Sequence, residues 1–214
     1  MKPIIFNTEM VKAILDGRKN TFRLPIKKEK ICEDWIMQRQ SFKDTVSKYK
    51  VDDILYVKET FQFGDNIRNI QNIPLNKDTE VLYYEDEINS HNSNNKDFAK
   101  IIKWKPSIHL KQKDARIFLK VTNVRVERLQ DISEDNLEKE GIVSYSEKWE
   151  NMECECTKNN RCQRYCDRRL DFINLWNSTL NFHNGIRKSQ NILNKYNWED
   201  NPYVFVYEFE RIEK

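Results

Sequence analysis

The run Asp16-Gly17-Arg18-Lys19-Asn20-Thr21-Phe22-Arg23 constrains this chain most, because it joins two segments of different periodicity. Before it, Thr8 to Leu15 puts Met10, Val11, Ile14 and Leu15 on one helical face. After it, Thr21 to Ile26 reads as a strand. A glycine at the junction fits a helix C-cap in the left-handed region. Arg18 and Lys19 then fall at the negative end of that helix, where cations are stabilised. A helix-to-strand corner carrying three cations suits an anion or a polar base. The same spacing also describes a capped helix with a solvated basic turn.

The chain has 214 residues, 38% hydrophobic and 33% charged, enough for one domain with insertions. Aromatics at 12% argue against disorder, and 4 Gly and 5 Pro exclude low complexity. Charge is unevenly placed. Seven cations and two anions lie between Lys12 and Lys30, in a chain whose net charge is only +3. Such a segment points to nucleic acid or phosphate, or else to a solvated lysine-rich loop. No apolar run approaches the ~18 residues of a membrane helix, and the N-terminus lacks a basic-then-apolar signal pattern. The expectation is a cytoplasmic protein with no membrane partner, its five cysteines serving as thiols or metal ligands before disulfides.

Along the chain, Lys2 to Phe6 reads as a strand, and Asn7 or Thr8 caps the helix that follows. Residues 31–48 read as a connection containing a strand. Asp52-Asp53 supplies a turn into the alternating strand at Ile54 to Glu59. Val81 to Tyr84 reads as a short strand and Glu85 to Asn95 as a polar loop. Ala115 to Leu129 reads as a long strand with a phase break near Thr122-Asn123, where a bulge would suit a barrel. Ser133 caps a helix with an acidic first turn, ending at Glu140-Gly141. A second helix, from about Asp167 to Leu180, buries Leu170, Ile173, Leu175 and Trp176. Tyr203 to Phe209 alternates aromatics and valines, as in a barrel wall.

Several of these stretches carry a resemblance. Met1 to Met10 followed by Ile14 to Lys19, Tyr49 to Thr60, Trp104 to His109, Ala115 to Leu119 through Leu129 to Ile132, and Asn201 to Ile212 resemble ASCH-domain proteins of the phage type. The resemblance implies an α+β fold: a PUA-like mixed β-barrel with peripheral helices. It implies one domain over 1–214, with a variable insertion at 62–103 and a Cys-rich insertion at 143–169. A phage-encoded chain would work in the host cytoplasm. Where the family has glycine beside the acidic turn, this chain has Asp52.

The resemblance also implies a site. Small bacterial ASCH enzymes that hydrolyse N4-acetylcytidine use a Lys, a Thr and a Glu, which map to Lys19, to position 22 and to Glu140. Position 22 is Phe22, and Thr21 stands one residue early. On a strand, one residue turns a side chain to the other face. Catalysis thus requires Thr21 to be rescued by a local bulge. Without a hydroxyl, Lys19 and Glu140 still suit base reading, a carboxylate accepting from an amine and a cation donating to a carbonyl or phosphate. A partly buried salt bridge is the plain structural alternative. The ligand-binding set is Arg18, Lys19, Arg23, Glu59, Phe61, Trp104 and Glu140, with Phe61 and Trp104 as stacking platforms. The expected partners are RNA, DNA or a modified nucleoside. Alternatives are an amidohydrolase of N4-acylated cytidine, a ribonuclease, or a phage accessory factor that docks on proteins.

Cys154, Cys156, Cys162 and Cys166 lie in one short polar segment. Four thiolates suit structural zinc, although Cys-x-Cys is tighter than the usual pair; free or disulfide-bonded thiols are the alternative. Cys32 stands apart and reads as a core thiol. His109, between Ile108 and Leu110, reads as structural before catalytic.

Overall fold

The computed structural model describes residues 1–63, 81–89, 102–142, 163–181 and 196–213. The strands are β1 (Lys2–Ile5), β2 (Thr21–Pro25), β3 (Ile54–Lys58), β4 (Phe61–Phe63), β5 (Val81–Tyr83), β6 (Phe118–Arg128) and β7 (Tyr203–Ile212). The helices are α1 (Thr8–Leu15), α2 (Asp34–Met37), α3 (Gln40–Val46), α4 (Tyr84–Asn89), α5 (Glu134–Lys139) and α6 (Gln163–Asn181). The fold is α+β with a mixed sheet. The chain divides into two compact units, and β6 and β7 each run from one into the other.

The first unit holds residues 1–15, 54–120 and 211–214. In it β1 lies parallel to β3, with Lys2 opposite Leu55, and β3 lies antiparallel to the start of β6. Asn7 caps α1 as expected: its Oδ1 accepts from the Met10 N–H at 2.8 Å. The helix buries Val11, Ala13 and Ile14. A small β4–β5 ladder covers a core of Phe61, Leu110, Ala115 and Phe118. The chain from Tyr84 forms α4 where a polar loop was expected. Its length is six residues, too short for an apolar period to show in the sequence.

The second unit holds residues 16–53 and 121–210. There β7 lies between β6 and β2, and β2 pairs antiparallel to β7, Thr21 facing Glu208 and Pro25 facing Val204. Its core gathers Leu129, Ile132, Leu137, Phe172, Trp176, Val204 and Val206. Leu170, expected inside, is exposed, while Phe172 and Trp176 face inward. Residues 31–48 form the short helices α2 and α3 instead of a strand. Met37 anchors them, fully buried, and Arg39 stacks on Trp35 at 4.4 Å. Cys32 is exposed and is no core thiol.

The acidic turn enters this unit tightly. Asp52 takes φ +69, the left-handed conformation that glycine would supply. Its N–H donates to the Val121 carbonyl at 2.8 Å, and the Val121 N–H donates to Asp53 at 3.0 Å. In β6 the expected phase break is present, with Thr122 and Asn123 both exposed between buried Val121 and Val124. β7 is buried at five successive residues, Tyr203 to Tyr207, so its alternation of residue types is not an alternation of inside and outside.

Among the described residues no pairing closes the strands into the expected barrel. In the first unit β1 pairs only with β3, and in the second β2 pairs only with β7. Each of these outer strands carries a proline, Pro3 or Pro25, which has no N–H to extend a ladder. No helix among the described residues is long and apolar enough to cross a membrane.

Gly17 sits at φ +74, and a Cβ added there would meet nothing within 4 Å. Its cost of substitution is therefore purely conformational. Gly17→Ala should lower stability by about 1 kcal/mol in urea unfolding. An unchanged midpoint would show that the corner tolerates another backbone conformation.

Candidate functional site

The corner is fastened to the end of α5 by backbone first. Lys19 forms an antiparallel bridge with Glu140. The Asn20 N–H donates to the Lys139 carbonyl at 2.9 Å, and the Asn20 carbonyl accepts from the Phe209 N–H at 2.9 Å. α5 ends where its sequence says it should. Ser133 caps its start, accepting from Asn136, and Gly141 leaves its end at φ +86. Arg18 Nη1 donates to the Gly141 carbonyl at 3.0 Å and Nη2 to Asp16 at 2.9 Å.

Side chains then close on Glu140. Lys19 Nζ donates to its backbone carbonyl at 2.9 Å and to its Oε2 at 2.5 Å. Arg23 Nη1 donates to its Oε1. The rest of the Arg23 fork goes to Glu127 Oε1, from Nε at 3.2 Å and Nη2 at 2.8 Å. Glu127 Oε2 accepts from Arg125, which also reaches Glu208 and Asn136. Phe172 of α6 places its ring centroid 5.7 Å from the Arg23 guanidinium. Lys19, Arg23 and Glu140 are 2%, 7% and 4% exposed, so this is a desolvated ion network rather than a surface pair.

Strand parity places Thr21 in this group. Lys19 and Arg23 both reach Glu140, and Thr21 stands two residues from each along extended backbone. Side chains alternate, so Thr21 shares their face. Its hydroxyl is buried, at 1% exposure of the residue, and has no hydrogen-bond partner among the described residues. Phe22 points the other way. It stacks on Tyr207 at 4.7 Å and meets the edge of Tyr49 at 5.9 Å. No bulge is needed to bring Thr21 to the lysine face.

Burial lowers the Lys19 pKa by penalising the ammonium; Glu140 pulls it back up, and Arg23 lowers it further. Such a lysine gives up its proton more readily than a surface one, so more of it stands as the neutral amine that can act as a base. The carboxylate is the hinge of the network, since its loss would leave both cations without it. Lys19→Met leaves Glu140 paired with Arg23. Glu140→Leu should therefore cost about 3–5 kcal/mol, and Lys19→Met distinctly less, in denaturant unfolding. Equal costs would show that Arg23 does not share the carboxylate.

The rest of the predicted ligand set, Glu59, Phe61 and Trp104, belongs to the first unit. Glu59, at 2% exposure, accepts from Arg116 Nε and Nη2 at 3.0 and 2.9 Å, and Arg116 also donates to Asp86 at 2.6 Å. Phe61 is 1% exposed within the core. Trp104 is half-buried, edge-on to Tyr84 at 5.2 Å. His109 is exposed in a short 3-10 turn. Cys154, Cys156 and Cys162 lie outside the described residues, as does the side chain of Cys166 in α6; the expected zinc site falls there.

Sequence reasoning missed Glu127 as the second anchor of Arg23. Its signal was present: Arg125 and Glu127 alternate with buried Val124 and Val126 along β6. A charged pair on one face of a strand calls for charges opposite. It also missed Glu85, which lines a cavity of about 10 Å³ with Glu59, Thr8, Thr60 and Tyr84, room for about one water.

Burial pushes the Glu59 carboxyl up, against Arg116. It pushes Glu85 up to about 7, with Lys12 opposing and Asp86 and Glu59 adding to the rise. The native state thus holds the Glu85 proton more tightly than the unfolded chain does. That contribution is full below about pH 4.5 and is lost as pH rises through about 7. Glu85→Gln should melt higher than the parent near pH 8 and match it near pH 5. A constant difference between the two would overturn this assignment.

No protein-family model matches the chain, and neither a curated protein nor a solved structure does.

Proposed function

We propose that the chain is a PUA-like protein of ASCH type that binds a nucleobase, as a modified nucleoside or within a nucleic acid, at Lys19, Thr21, Arg23 and Glu140. One observation carries this reading. A buried threonine hydroxyl without a hydrogen-bond partner among the described residues shares a strand face with two cations that hold one carboxylate. Buried polar atoms are rarely left unsatisfied, and those that are ask for an explanation. A base edge would supply one. Glu140 accepts from an exocyclic amine, Lys19 or Arg23 donates to a ring carbonyl, and Thr21 donates or accepts as the base requires. All four residues are buried, so a base reaches them only as the packing around them opens.

A second reading is an amidohydrolase of N4-acylated cytidine, favoured by the lowered pKa of Lys19 beside a hydroxyl on the same face. In that chemistry the Thr21 oxygen bonds to the acyl carbon as the Lys19 amine takes its proton. The cytidine N4 then leaves with that proton, and water releases the acyl group from Thr21.

Nucleoside turnover and binding test both readings. The parent protein, Thr21→Val and Glu140→Gln are incubated with N4-acetylcytidine, and cytidine is followed by chromatography. Saturable binding without product, weakened about tenfold or more in Glu140→Gln, supports the reader. Cytidine from the parent and none from Thr21→Val supports the hydrolase. Neither binding nor product with nucleosides or oligonucleotides overturns both.

A further inference from the structure

A second pocket lies at the other end of β2. The β2–β7 ladder closes with Pro25 opposite Val204 and the Ile26 N–H donating to Tyr203. Thr21 is five residues back, about 16 Å of extended chain. Past Ile26 the chain makes a 3-10 turn, Lys28–Lys30, within the basic segment. The pocket there encloses about 370 Å³, in the range of small-molecule sites. Its walls include Lys28, Arg128, Tyr196, Asp200 and Tyr203.

Its polar groups are held in place. Arg128 ends β6 with its guanidinium 3.7 Å from the Tyr203 ring centroid, and its Nη1 donates to the Asn201 carbonyl at 3.1 Å. Asn201 sits at φ +42 and is fixed by Gln130, whose N–H donates to its Oδ1 at 2.9 Å. The Tyr203 hydroxyl donates to Asp34. The Tyr196 hydroxyl accepts from the Lys28 N–H at 3.4 Å.

We infer that this pocket binds a nucleotide, stacking its base on the Arg128 guanidinium and taking its phosphate at Lys28. A guanidinium covered on one face by an aromatic ring keeps a second face for a planar ligand, and bases stack on such planes. Tyr196 adds a ring to the wall, and Asp200 supplies an acceptor for a ribose hydroxyl or an exocyclic amine. A simple anion would use the cations and leave the rings idle. An apolar peptide would bury the Lys28 and Arg128 charges and offer them no anion. A nucleotide uses Lys28, Arg128, Tyr196 and Asp200, with Tyr203 backing the guanidinium. It could be free or a residue of a single strand, since both present a base beside a phosphate.

Titration of cytidine and adenosine 5′-monophosphates into the full chain, followed by ligand-observed NMR, tests this. Saturable binding is expected, with the matching nucleosides and inorganic phosphate each weaker by about tenfold. Arg128→Gln should weaken nucleotide and nucleoside alike, by about fivefold or more for one lost stacking partner. Lys28→Ala removes an exposed side chain and leaves the backbone contact to Tyr196. It should make the nucleotide bind no better than the nucleoside, a change that loss of folding would not produce. A single-stranded pentanucleotide that binds more tightly, and is weakened by Lys28→Ala, identifies a strand as the source. No gain over the mononucleotide identifies the free ligand. The inference is overturned if nucleotides show no saturable binding, or if Lys28→Ala and Arg128→Gln bind them as the parent does.

Discussion

The second unit depends on one carboxylate. Glu140 stands at the end of α5, held by Lys19 from the corner and Arg23 from β2. Removing these ions from water costs several kcal/mol each, and only close geometry offsets it. That geometry is supplied by backbone hydrogen bonds on both sides of Asn20. Helix end, corner and strand are thus fixed by a pairing that tolerates little displacement. The network continues outward through Glu127 and Arg125 to Glu208, becoming more exposed at each step. Charge is therefore most strongly desolvated at the inner end, where the threonine hydroxyl also lies.

Local signals were legible in the sequence. Asn7, Gly17, Ser133 and Gly141 each mark a helix end within a few residues, and all four hold those positions. The pairing of Lys19 with Glu140 was legible as well. Thr21 was not, because the strand read from the sequence starts at Thr21 and leaves Lys19 in the turn, so the face that the two share stayed open. Phe22 fixes it: the aromatic cluster with Tyr207 and Tyr49 takes that ring and turns Thr21 the opposite way.

The less legible parts were short or depended on distant packing. α2 and α4, at four and six residues, carry no usable period. The run Tyr203 to Tyr207 alternates aromatics and valines, yet all five residues are buried. Pairing between strands far apart in sequence decides whether a sheet closes, and no local pattern encodes it. The aromatics at strand ends could serve as core or as platform, and Phe61 is core.

The outer strands have a consequence for the company this protein keeps. A bare sheet edge is a template for another chain, and fibrils and swapped dimers grow from such edges. β1 and β2 each interrupt that template with an imino acid, Pro3 and Pro25. A strand from another molecule arriving there would find its carbonyl facing a ring carbon instead of a donor. Crowded copies of this chain are thus discouraged from zipping together along the strands that stand outermost among the described residues.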